Sequence, residues 1–93
     1  MDTQTTSSSP AEFVFAFANT RDAIEGEKEL LAGGVSPGVM PRPDYLGAGC
    51  GICLRVRAAE LERARSILDG SFQGIYAAET AASGKKVLSP WNP

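Results

Sequence analysis

The sequence contains no histidine among its 93 residues. This absence excludes nucleophiles paired with histidine, histidine metal sites and acid–base catalysis by an imidazole. Cysteine is scarce as well: the sequence has two, Cys50 and Cys53, and both lie in the stretch Cys50-Gly51-Ile52-Cys53. Any covalent chemistry therefore depends on a cysteine sulfur, assisted by carboxylates, arginines and backbone amides.

A surplus of positive charge and a long apolar run are also missing. Nine Lys and Arg stand against eleven Asp and Glu, which argues against nucleic-acid binding, because cations drive the binding of phosphates. No apolar run approaches the roughly 20 residues that span a bilayer, so we expect no membrane segment. Two cysteines without a secretory signal favour the cytoplasm, where thiols stay reduced.

The composition divides the chain into three parts. Residues 1–11 begin with the polar stretch MDTQTTSSSP, which predicts a disordered leader. Residues 12–79 are predicted to form one domain, and residues 80–93 a tail that is either flexible or docked through Trp91. A folded part of this size buries only about 60% of the surface of its unfolded chain and is marginally stable alone, which is compatible with a homodimer.

The apolar pattern predicts an α+β fold with the order β-α-β-β-α-β. Residues 12–18 alternate phenylalanine with small apolar residues and predict a strand that is covered on both faces. Further strands are predicted over residues 35–40, 52–57 and 74–78, and helices over residues 20–32 and 58–68. The most economical closure is the ferredoxin-like arrangement, a four-stranded antiparallel sheet with both helices on one face.

The first predicted helix places a carboxylate among apolar side chains. At 100° per residue, Glu27 lies in the middle of the apolar stripe of this helix. The stripe consists of Ala23, Ile24, Leu30 and Leu31. Because a buried carboxylate needs a partner, Glu27 either reaches solvent or pairs with Arg42 or with backbone amides of the 42–50 loop.

Cys50 is the candidate reactive residue. It lies between Gly49 and Gly51 in a loop, where the sulfur should be accessible and successive free N–H groups can bind an anion. Cys53 lies in the strand over residues 52–57 and is predicted to be half-buried. An extended backbone would hold the two Cα atoms about 10 Å apart, so a disulfide would need a turn at Gly51.

Two further features bear on this loop. Arg42 stands between Pro41 and Pro43, which restrict its backbone, and it is either a surface arginine or a cation that stabilises a thiolate. A zinc or iron–sulfur site needs about four ligands, so two chains would have to meet to build one. The sequence therefore predicts neither a bound metal nor a cofactor.

An ordered set of short motifs covers most of residues 13–68. It consists of Phe13 to Phe17, Ala23 to Glu27, Leu30-Leu31, Gly34-Val35, Pro41-Arg42, Cys50-Gly51 and Ile52 to Arg55. Because it carries these motifs in this order, the chain resembles a family of short bacterial proteins described as selenium/sulfur carrier-like. The family is a domain of unknown function that is also found fused to sulfurtransferase-like partners.

The resemblance implies that Cys50 is the carrier position, with Gly51, Glu27 and Arg42 as supporting residues. The chain departs from the family pattern at residues 47–49, where Gly-Ala-Gly replaces serines, and Cys53 is not part of that pattern.

The resemblance also implies a function. Cys50 would hold sulfur or selenium as a persulfide or perselenide, taken from a donor enzyme and passed to an acceptor protein. We expect such a chain to be a carrier rather than a turnover enzyme. One alternative is a non-catalytic ferredoxin-like module that binds a small ligand or dimerises, with an incidental thiol. The other is a metal or redox protein that uses both cysteines.

Overall fold

The computed structural model describes residues 11–43, 46, 51–80, 84 and 86–91. Within these residues the chain forms two α-helices and one antiparallel sheet, which confirms the predicted α+β class. The elements are, in chain order, β1 (Glu12–Ala16), α1 (Thr20–Ala32), β2 (Gly38–Pro41), β3 (Ile52–Arg57), α2 (Leu61–Leu68), β4 (Gly74–Thr80) and β5 (Lys86–Pro90). A 3-10 turn, Ala58–Glu60, leads into α2.

The sheet has five strands in the order β2-β3-β1-β4-β5, so the prediction of four strands is wrong. The additional strand β5 pairs along β4, with Leu88 opposite Ala78. The segment was hard to predict because it is short and ends in Pro90, which lacks an N–H group for a sheet ladder. A proline is tolerated there because β5 is an edge strand.

Strand β1 lies at the centre of the sheet and is covered on both faces. Its phenylalanines contribute to the larger cluster of buried side chains, the helix-side cluster, together with residues of α1, α2, β3 and β4. Val14 and Ala16 point to the opposite face and form the far-side cluster with Cys53 and Leu88. Both helices therefore pack on one face of the sheet, as predicted.

Helix α1 begins after Asn19, whose side chain accepts a hydrogen bond of 2.8 Å from the N–H of Asp22, and it ends at Gly33. The residues that α1 buries are Ala23, Gly26 and Leu30. Neither helix of the described chain has the length and apolar character needed to cross a membrane.

The predicted burial of Ile24 and Leu31 is wrong, because these side chains are 43% and 54% exposed. The reason is Gly26. A Cβ atom there would lie 3.1 Å from the ring of Phe17 and 3.2 Å from Leu68. The absence of a side chain lets α1 approach the core along the Gly26 side, which turns Ile24 and Leu31 outward.

Trp91 docks on the helix side of the sheet, directly after β5. Its ring meets Phe13 edge-on at 5.1 Å between centroids, and its backbone N–H group donates to the carbonyl of Ile75 at 3.0 Å. The guanidinium of Arg65 lies 5.8 Å from the centre of the indole ring. Leu88 thus packs on the far side of the sheet and Trp91 on the helix side, and both contacts hold β5 in place.

We expect Leu88→Ala to lower the free energy of unfolding by about 2 kcal/mol, because it removes a buried side chain from the far-side cluster. Val87→Ala on the same strand should change it by less than about 0.5 kcal/mol, since Val87 is 41% exposed. Urea denaturation measures the free energy of unfolding of both variants. Equal, small effects would contradict the docking of β5.

Candidate functional site

The loop that contains Cys50 leaves the sheet at β2 and returns to it at β3. Its two ends are joined where Pro41 pairs with Ile52 and where the N–H of Arg42 donates to the carbonyl of Gly51 at 3.0 Å. Cys50 lies outside the described residues, so the position of its sulfur stays a prediction. The structure fixes the residue that follows it, Gly51.

The side chain of Arg42 connects this loop to the rest of the domain. Its guanidinium donates to the carbonyl of Leu46 at 3.0 Å, within the loop. It also donates to the carbonyl of Phe17 at 3.4 Å, just past the end of β1, and to Oε1 of Gln73 at 3.0 Å. Hydrogen bonds from an ionised donor are stronger than neutral ones. Arg42 is therefore an anchor that holds the loop against the end of the central strand.

Gln73 is a site residue that the sequence did not reveal. Its N–H group donates to the carbonyl of Ala16 at 2.6 Å, which ties it to β1, and its side chain receives the bond from Arg42. Phe72, the preceding residue, packs edge-on against Phe15 at 5.1 Å. A single glutamine in a turn has no periodic signal, so only the folded structure relates it to Arg42.

Glu27 is half-buried on α1, next to the close contact at Gly26. The predicted pairing of Glu27 with Arg42 is not seen. Across the residues that the structure describes, the Glu27 carboxylate makes no hydrogen bond or ion pair. Glu27 thus lies at the margin of the buried side of α1 and not in its middle as predicted, because Ile24 and Leu31 face outward. Its supporting role stays a prediction.

Cys53 is fully buried, with 0% of its surface exposed, whereas the pattern predicted a half-buried residue. It lies on β3 between Ala16 of β1 and Met40 of β2, in the far-side cluster. Leu46 of the loop packs against the same cluster. The difference arises because Leu88 of β5 and Leu46 cover this face, and neither contact is visible in the pattern of β3. A reagent in solution would reach Cys53 only after this cover opens.

Within the described ranges, no three Cys, Asp or Glu side chains come together in a group that could hold a metal ion.

Comparison with known proteins gives two matches. Residues 12–78 match the model of a family whose description reads "Putative Se/S carrier protein-like". The chain is also similar to "Uncharacterized protein YtiA" of Escherichia coli (strain K12), at 32% identity over 65 residues, which cover 70% of this chain and 76% of that protein. No solved structure matches the chain. The matched residues run from β1 into β4 and include Arg42 and Gln73, whereas β5 and Trp91 lie beyond them.

We expect Gln73→Met to loosen the loop, because methionine keeps the length of the side chain but accepts only weakly from Arg42. The loss of about 1 kcal/mol of net hydrogen-bond energy should accelerate hydrogen exchange at the backbone amide of Arg42 about fivefold. Hydrogen exchange measured by NMR tests this. Gln73→Glu keeps the acceptor and should restore slow exchange. Unchanged exchange in Gln73→Met would show that the bond does not hold the loop.

Proposed function

The chain belongs to the Se/S carrier protein-like family, and from this premise we propose that Cys50 holds a sulfur or selenium atom for transfer. The chain would act as a carrier in the cytoplasm, between a donor enzyme and an acceptor protein. Its core would be ferredoxin-like, extended by β5, and the order β2-β3-β1-β4 supports this.

The observation that supports the carrier proposal best is the anchoring of the loop by Arg42. This residue holds Gly51 through its backbone and Leu46 through its side chain. Cys50 follows Leu46 and precedes Gly51 in the chain, so it belongs to a segment that is held on both sides. A guanidinium near Cys50 would favour a thiolate, because a nearby positive charge stabilises the negatively charged form.

The transfer step needs no external oxidant when the donor carries a persulfide. The Cys50 thiolate attacks the outer sulfur of the donor persulfide and forms a new S–S bond. The S–S bond within the donor breaks, and the donor cysteine leaves as a thiolate. A donor that carries selenium in the outer position reacts in the same way and leaves a perselenide on Cys50. One S–S or S–Se bond replaces another, so electrons balance.

Glu27 would take up the proton that the Cys50 thiol releases. This role is supported by the half-burial of the side chain and by the lack of a described partner that would occupy its carboxylate. Cys53 would support the site by packing rather than by chemistry, because it is enclosed in the far-side cluster.

We expect Cys50→Ser to abolish loading and Cys53→Ala to preserve it. The protein is incubated with a purified cysteine desulfurase and either cysteine or selenocysteine, and its intact mass is measured before and after reduction. The proposal requires a gain of one sulfur or one selenium atom that reduction removes. Loss of loading in both variants would indicate a dithiol mechanism, and no gain in the wild type would contradict the carrier function.

A cavity of about 100 Å³ on the far side of the sheet favours the second candidate, a small-ligand-binding module. Apolar side chains line most of it, and the ion pair between Arg55 and Glu12, at 3.5 Å, adds charge. The apolar lining consists of Val14, Met40, Pro43, Ala78 and Leu88. A thermal shift caused by short aliphatic carboxylates that persists after the thiols are alkylated would support this module.

A further inference from the structure

The cavity on the far side of the sheet combines a pair of opposite charges with an apolar lining. Arg55 of β3 lies directly opposite Val14 of β1, and Glu12 lies two residues before Val14, so the three side chains point to the same face of the sheet. Glu12 in turn lies opposite Ala78 of β4. All four residues line the cavity of about 100 Å³, so a molecule bound there meets both charges and an apolar wall.

Gly38 of β2 sets the position of the Arg55 guanidinium. Gly38 lies opposite Arg55 in the sheet, and a Cβ atom at Gly38 would lie 2.9 Å from the guanidinium carbon. Any other residue at this position would displace the guanidinium. The absence of a side chain therefore lets the charge of Arg55 lie close to the backbone of β2, beside the cavity.

The pair formed by Arg55 and Glu12 retains capacity for a ligand. Nε of Arg55 lies 3.5 Å from Oε2 of Glu12, which is longer than the about 2.7–2.9 Å of a strong bond between ionised groups. A guanidinium has five N–H donors, and among the residues that the structure describes Arg55 forms no other ion pair. The side chains of Arg55 and Glu12 are 39% and 28% exposed, so a molecule in solution can reach them.

A ligand with a single charge is a poor match to this pair. A simple carboxylate that pairs with Arg55 comes close to Glu12, which repels it, and a simple amine that pairs with Glu12 is repelled by Arg55. An α-amino acid carries both charges on one carbon atom. Its carboxylate can face Arg55 while its ammonium faces Glu12, so its charges are complementary to the pair.

The volume of the cavity limits the side chain of such a ligand. An apolar cavity of about 150 Å³ binds benzene, so one of about 100 Å³ admits a chain of about four carbon atoms. Met40 is part of the lining, and its flexible side chain can adapt to the shape of the ligand. A short, unbranched apolar side chain therefore fits the cavity.

We propose that the far-side cavity binds an α-amino acid with a short apolar side chain. Arg55 binds the carboxylate, Glu12 binds the ammonium, and the apolar lining encloses the side chain. This inference rests on the second candidate function, the binding of a small ligand, and it names the class of that ligand. It does not depend on whether Cys50 carries sulfur or selenium.

Four compounds separate the parts of this site. L-norvaline carries both charges and a propyl side chain, whereas pentanoate lacks the ammonium, butylamine lacks the carboxylate and glycine lacks the side chain. Each is titrated into the wild type and into Cys50→Ser, and binding is followed by NMR at the backbone amides of Val14 and Ala78. We expect L-norvaline to bind at least about tenfold more tightly than each of the other three, because both charges and the apolar contact act together.

Variants of the ion pair should divide the compounds in opposite ways. Arg55→Gln should weaken the binding of L-norvaline and pentanoate and spare butylamine. Glu12→Gln should weaken L-norvaline and butylamine, and it should strengthen pentanoate because it removes the repulsion. Arg57→Gln is the matched control, since Arg57 lies on the same strand with its side chain 77% exposed and does not line the cavity. Thermal unfolding without ligand checks that each variant is folded.

Each outcome decides the inference. Equal binding of pentanoate and L-norvaline would overturn it and leave a module that binds simple carboxylates. Equal effects of Arg55→Gln and Arg57→Gln, or binding to the wild type that Cys50→Ser abolishes, would also overturn it. No change at Val14 and Ala78 with any compound would overturn the inference and the ligand-binding candidate together. The carrier function is decided separately, by the loading of Cys50.

Discussion

The enclosure of β1 on all sides is the constraint on which the other features depend. Its backbone is paired with β3 on one edge and β4 on the other, and its side chains are buried on both faces. Both helices therefore cover one face, while β5 and Leu46 cover the other. The carbonyls of Ala16 and Phe17, at the end of β1, are the fixed points to which Gln73 and Arg42 are bonded.

The candidate site is thus built at the end of the central strand of the sheet, although its proposed nucleophile belongs to a loop. Arg42 joins these two parts, since one residue bonds to the loop, to the end of β1 and to Gln73. Cys53 and Leu46 meet in the far-side cluster, so the apolar cover of the sheet and the position of the loop are coupled.

The sequence predicted the class of the fold and both helices because their signals are local. Asn19 caps α1, Gly33 ends it, and the alternation in β1 and β3 is clear. Strand β5 and the bond between Gln73 and Arg42 depend on contacts between distant residues, which leave no periodic pattern. The exposure of Ile24 and Leu31 was predicted wrongly because the helical periodicity was judged from the large apolar residues alone. Gly26 has no side chain, so the helix packs on the side of Gly26 and these two residues face outward. The proposed role of Cys50 rests on its position between Gly49 and Gly51 in the loop and on family membership.

The pairing of β1 with β4 also affects how the chain is made. β1 lies near the beginning of the chain, yet Glu12 pairs with Ala78 near its end. During synthesis, one edge of this strongly apolar strand stays unpaired until β4 has left the ribosome. Contacts between residues so far apart form slowly, and an unpaired apolar strand invites association with other nascent chains. The polar, acidic outer flank of α1 is synthesised immediately after β1, and its charged side chains are able to keep this apolar strand in solution until β4 arrives.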